Sequence, residues 1–129
     1  MYLCDYAYKD VAGKTSIIGM FTDINVLQFP SKYQQIFTIL EVEKAADEQF
    51  KLEVAISSPS EQEITQKVGR EIGVQSPSHK IIKMTMIYAF YGIELAEPGE
   101  YHVLLFLNND CIHSIPFRVH QLKVKKKEE

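Results

Sequence analysis

The residues of this 129-residue chain that could do chemistry are four histidines, two cysteines and a scatter of acids. His79, His102, His113 and His120 form no His-Glu-x-x-His pair, and Cys4 and Cys111 stand near opposite ends of the chain with no Cys-x-x-Cys. A structural zinc site takes about four ligands at tight spacing, so the reading is no metal and no cofactor. Asp5, Asp10 and Asp23 gather near the first hairpin, but their spacing is not that of a calcium loop; turn and edge duties account for them. Gly13-Lys14-Thr15 ends like a phosphate-binding loop. That loop needs a glycine where Tyr8 stands, and a helix where Ser16 to Phe21 reads as strand. There is no Gly-x-Ser-x-Gly elbow for a serine nucleophile. No catalytic residue is assigned, and the chain is expected not to be an enzyme. Cys4 and Cys111 fall in predicted strands, where a small buried apolar role is usual. His79, Asp23 and Asp110 are the polar groups left for an alternative small-ligand or metal site.

Any such groups must be positioned by one domain, since 129 residues make a single core that needs neither metal nor disulfide. No apolar run reaches the roughly 20 residues of a membrane helix. Met1 to Asp5 lacks the basic and apolar regions of a secretory leader. The expectation is a cytoplasmic protein with free thiols. Fourteen basic groups face seventeen acids; four of the former and two of the latter lie in the last nine residues, leaving residues 1–120 with ten against fifteen. An acidic body argues against nucleic acid as partner, and no membrane partner is expected either. Residues 121–129 read as a charged, solubilising tail, residues 1–120 as the folded domain.

Period-2 alternation dominates the chain. Strands are predicted over Tyr2 to Tyr8, Thr15 to about Phe29, Tyr33 to Glu43, Phe50 to Ser57 and Ile81 to Ala96. A hairpin of Gly99 to Leu107 and Cys111 to His120 closes through Asn108-Asn109-Asp110. Glu61 to Val68 reads as a weak edge strand or, with Ser60 and Glu63, as a capped helical turn. Gly69 to Lys80 reads as a long loop. Seven or eight short antiparallel strands predict an all-β, immunoglobulin-like sandwich. Leu95 to Val103 sharpens this: Tyr101, after Glu97-Pro98-Gly99-Glu100, has the placement of a tyrosine corner, against the plainer reading of a Pro-Gly turn before an ordinary strand.

With Tyr101 inward, Val103, Leu105 and Leu107 follow it, and Leu104 and Phe106 turn outward. A three-residue loop then sets residue 106 opposite Ile112. On the third strand, Ile36, Leu40 and Val42 inward leave Phe37 and Ile39 outward. In the usual immunoglobulin-like order these strands share a sheet. Its outer face would then carry Phe37, Ile39, Leu104, Phe106 and Ile112, a patch of the size that soluble monomers cover. Two readings compete: a protein partner or second copy (a homodimer) covers it, or the chain's own loop, first strand or tail does.

Cys4-Asp5-Tyr6-Ala7, Gly13-Lys14, Ile18-Gly19, Phe21 and Phe29-Pro30, with Pro98-Gly99-Glu100-Tyr101 and the final hairpin, resemble an uncharacterised family of small bacterial proteins known only as a domain of unknown function. The resemblance implies a stand-alone β-sandwich in a bacterial or phage setting and transfers no activity, cofactor or catalytic residue. Its motifs suit structural roles: Gly13 closes a hairpin, and Gly19 inside a strand marks a bulge or close backbone approach. The expected function is a non-enzymatic interaction module that binds itself or a protein partner through the apolar sheet face. The alternatives are a small-ligand or metal-binding domain and a structural subunit of an assembly.

Overall fold

The computed structural model describes residues 1–123. Most of the predicted tail, 124–129, therefore lies outside the described residues. Among the described residues nine strands follow one another: β1 (Tyr2–Lys9), β2 (Thr15–Met20), β3 (Asp23–Val26), β4 (Ser31–Ala45), β5 (Phe50–Ser57), β6 (Val68–Ile72), β7 (Ile81–Leu95), β8 (Gly99–Leu107) and β9 (Asp110–Gln121). They form a four-stranded sheet, β2-β1-β4-β7, packed on a five-stranded sheet, β3-β9-β8-β5-β6. The fold is an all-β sandwich.

Alternation builds the core. Leu52, Val54 and Ile56 of β5 and Tyr101, Val103 and Leu105 of β8 face Ile36 and Leu40 of β4 and Met86, Tyr88 and Phe90 of β7. Tyr101, Val103, Val54, Ile56 and Ile36 are almost completely buried. The inward orientation expected for Tyr101 and Val103 is the one observed. The Tyr101 hydroxyl donates to the Glu97 carbonyl at 2.7 Å and accepts from the Glu97 amide at 3.4 Å. That closes the tyrosine corner four residues upstream, and burial raises the pKa of the phenol.

Three strand assignments change. The single long strand expected from Thr15 to Phe29 is two. β2 pairs with β1, whereas β3 crosses to the other sheet and runs parallel to β9, burying Ile24 and Val26. Of Glu61 to Val68 only Val68 is in a strand; the rest makes an isolated Ser57–Glu63 bridge, and the edge strand, β6, takes up the start of the segment expected as the Gly69–Lys80 loop. Gly69 fits there because its Cα lies against β5: a Cβ would come within 2.6 Å of the Glu53 Cα. The final hairpin turns through two residues, Asn108 and Asn109, both at positive φ (48° and 73°), the geometry that matches strand twist.

The loop after β6 is tied down. Buried Lys44 donates to the Gly73 carbonyl at 3.2 Å and to the Gln75 side-chain oxygen, and the Ala46 amide donates to the Lys80 carbonyl while the Ala46 carbonyl accepts from the Gln75 amide.

Candidate interaction surface

The five residues expected on one apolar face are divided between two sheets. Phe37 and Ile39 point outward from β4, as expected, but β4 belongs to the four-stranded sheet. Leu104 and Phe106 point outward from β8 in the five-stranded sheet. The reason is the extra strand. Once the segment from Thr15 splits, β4 moves one place along the topology and pairs with β1 and β7 instead of β8. Ile112 is exposed but does not face Phe106. The register shifts between Leu105 and Phe106, so that Phe106 lies opposite Cys111, Leu105 lies opposite His113, and Ile112 is left between them.

Much of this apolar surface is covered by the chain itself. Phe106 is 8% exposed, with the Lys67 ammonium 4.1 Å from its ring centroid. Leu104 is half-buried between Ala55 and Ser114. Phe37 and Ile39 form a second small core with Cys4 and Ala7 of β1 and, at its margin, Ile87 and Ala89 of β7. Burial also raises the Cys4 thiol pKa. Cys111, expected to be buried, is exposed: it lies opposite Phe106, on the outer side of the five-stranded sheet; both thiols are free.

What the four-stranded sheet shows on its outer side is aromatic. Tyr8, Tyr6, Phe37 and Tyr91 form a row with successive ring centroids 5.8, 5.1 and 6.1 Å apart. Phe37 is its floor, while Tyr6 and Tyr8 are 43% exposed and Tyr91 68%. Tyr2, Ile18 and Met20 add exposed apolar side chains from β1 and β2. Cross-strand pairing explains the grouping, since Tyr6 lies opposite Ile18, and Cys4 opposite both Met20 and Phe37. The sequence carried one signal for it that went unread: Tyr2, Tyr6 and Tyr8 share the parity of a single strand face.

A cleft of about 490 Å³ opens where the chain passes from β2 to β3. Leu3, Met20, Phe21, Ile115 and Phe117 line it, with Asp23, Glu100 and Arg118 among its polar members. Those polar groups are committed to each other or to neighbours. Asp23 accepts hydrogen bonds from Thr22 at 2.8 Å and pairs with His120 at 2.8 Å; these bonds, His120 first, lower its pKa. Glu100 lies 3.6 Å from His102 and 3.9 Å from Arg118. The polar candidates of the sequence do not converge. Asp23 is at this cleft, His79 pairs with Asp47 at 2.7 Å, and Asp110 opens β9 beyond the last turn. Asp10 caps the first turn by accepting from the Ala12 and Lys14 amides, and Asp5 accepts from the Tyr33 hydroxyl. Among the described residues no three metal-ligating side chains gather at one point. Nor, among those residues, is any helix long and apolar enough to cross a membrane.

The architecture defines a two-sheet β-sandwich whose most distinctive surface is an aromatic face. The chain belongs to a family of unknown function, DUF6941, which matches residues 1–120. No curated protein matches it. Among solved structures it is similar to the Pseudomonas fluorescens alkylpurine DNA glycosylase AlkC bound to DNA containing an abasic site analog. The identity is 13%, the TM-score 0.50, and the match covers 77% of this chain and 28% of that one. The chain thus corresponds to little more than a quarter of that protein's length, and the likeness is one of fold.

Proposed function

We propose that this protein is a non-enzymatic interaction module whose docking surface is the outer face of the four-stranded sheet. The observation that carries the reading is the row Tyr8–Tyr6–Phe37–Tyr91, flanked by Tyr2, Ile18 and Met20. Tyrosine is the residue interfaces favour, with large apolar area at low conformational cost and a hydroxyl to satisfy at the rim. The exposed parts of the six side chains around Phe37 add up to roughly 600 Å², most of the ~800 Å² that one side of a standard interface buries. Of the residues chosen from the sequence, Phe37 and Ile39 keep a part in this surface as its floor.

Binding is favoured over catalysis because Asp23 and Glu100 at the cleft are engaged in cross-strand and neighbouring pairs, and Asp10 and His79, remote from it, in a turn and an ion pair. The structural neighbour is bound to DNA, but ten basic against fifteen acidic groups in residues 1–120 speak for a protein partner here. The free thiols of Cys4 and Cys111 favour a cytoplasmic setting. The immunoglobulin-like assignment is supported by the β1-β4-β7 and β9-β8-β5-β6 orders, the parallel β3–β9 pair and the tyrosine corner.

The test begins with partners retained by the tagged full chain, purified and titrated against wild type and Tyr91→Ser. An interface tyrosine as exposed in the free protein as Tyr91 is expected to cost about 30-fold in Kd when truncated. Equal affinity of the two proteins would contradict the reading.

A further inference from the structure

Of the four sheet edges, β2 is unlike the others. β3 carries Asp23 and is four residues long, β6 carries Arg70 and Glu71, and β7 carries Lys83 and Glu94. Charges and short length are what keep edges from pairing with other chains. β2 reads Thr15-Ser16-Ile17-Ile18-Gly19-Met20, with no charge and no proline, and Ile17, Ile18 and Met20 are exposed. Its outer backbone edge has no neighbouring strand among the described residues.

Charge enters only at the two ends of the hairpin, and with opposite sign. Lys9 lies opposite Thr15 at the turn end, with Lys14 beside it. The one acid there, Asp10, is held by two backbone amides. At the other end the Asp5 carboxylate lies over Gly19, whose φ of +69° and lack of a side chain admit it. An antiparallel partner of the same sequence would bring unlike ends together, and a parallel one like ends.

We infer that β2 pairs antiparallel with β2 of a second copy of this chain about a two-fold axis at Ile17. That register sets Thr15 of one copy opposite Gly19 of the other. Lys9, next to Thr15, then reaches toward the partner's Asp5 on the same face, and symmetry repeats the contact. Such an isologous contact closes on itself. It joins the two four-stranded sheets into one of eight strands, β7-β4-β1-β2-β2-β1-β4-β7, by strand addition at an edge. The aromatic rows of the two copies then lie on one continuous face. The inference goes beyond the docking-face reading, since the edge and not the face carries it. A monomeric protein that still loses its partner on Tyr91→Ser would overturn only the pairing.

Sedimentation equilibrium of the full chain at 10 to 200 µM tests it. Wild type is expected at twice the 14.8 kDa chain mass. Ile17→Lys, which puts two ammonium groups at the axis, is expected at the single-chain mass with its strand circular dichroism intact. Lys9→Glu is expected to weaken the dimer about tenfold at low salt, with the difference closing in 1 M NaCl. Wild type at the single-chain mass throughout the range, an Ile17→Lys dimer as tight as wild type, or a Lys9→Glu protein indistinguishable from wild type at low salt would each overturn the pairing.

Discussion

The Tyr101 hydroxyl sits where the chain re-enters the sandwich, donating to one carbonyl and accepting from the amide of the same residue, Glu97. Tyr101→Phe keeps the ring stacked on Phe117, with centroids 5.4 Å apart, and removes only these bonds. The expected loss is about 1 kcal/mol of unfolding free energy by urea titration. Asp23 gives a second residue-scale expectation. Its pKa in the folded state lies below the ordinary carboxylate value, chiefly through His120. The stability it contributes is therefore present above the unfolded pKa near 4 and is lost as pH falls through the lower folded value. Asp23→Asn is expected to have a lower urea midpoint than wild type at pH 6 and the same midpoint at about pH 2. The corner was legible in the sequence because its spacing is local: a turn with Pro98 and Gly99, then Tyr101. The Asp23–His120 pair was not, because it joins residues 97 positions apart through a parallel strand pairing that no local pattern announces.

Strands of this molecule were read well where one face is dry and the other wet. β5, β7, β8 and β9 fall within a residue or so of their expected limits, because buried Leu52, Val54 and Ile56 alternate with Lys51 and Glu53. Ile56→Ala, at 0% exposure, is expected to cost 2–5 kcal/mol, and Ile18→Ala, at 54%, less than about 0.5 kcal/mol, compared by urea unfolding. The two isoleucines look alike in sequence; what separates them is that Ile56 points into the core between the sheets and Ile18 points away from it. The boundary between β2 and β3 went unread for a related reason. Apolar residues continue through Ile17, Ile18, Met20, Phe21, Ile24 and Val26, and the change of sheet at Phe21 and Thr22 leaves no proline or glycine turn to mark it. Missing that crossing displaced β4 by one place and placed Phe37 on the wrong sheet relative to Phe106. Gly19 differs from its expectation: pairing with β1 stays in register and no other backbone comes close, and the glycine instead has a positive φ and leaves room for the Asp5 carboxylate.

At the scale of the whole molecule, two sheets share one core but differ in what they show to solvent. On the five-stranded sheet Lys67 covers Phe106 and β9 makes cross-strand pairs with both its neighbours, whereas the four-stranded sheet leaves tyrosines in a row. An outward apolar surface was therefore legible, but its place was not, because which strands share a sheet is set by long-range pairing. Hydroxyl-radical footprinting of the free protein and its complex tests the central claim most directly. The account predicts that Tyr6, Tyr8 and Tyr91 lose reactivity on binding, while Phe21 and Ile115 at the cleft and Leu104 on the opposite face keep theirs. Protection at the cleft or at Leu104, with the three tyrosines unchanged, would contradict it.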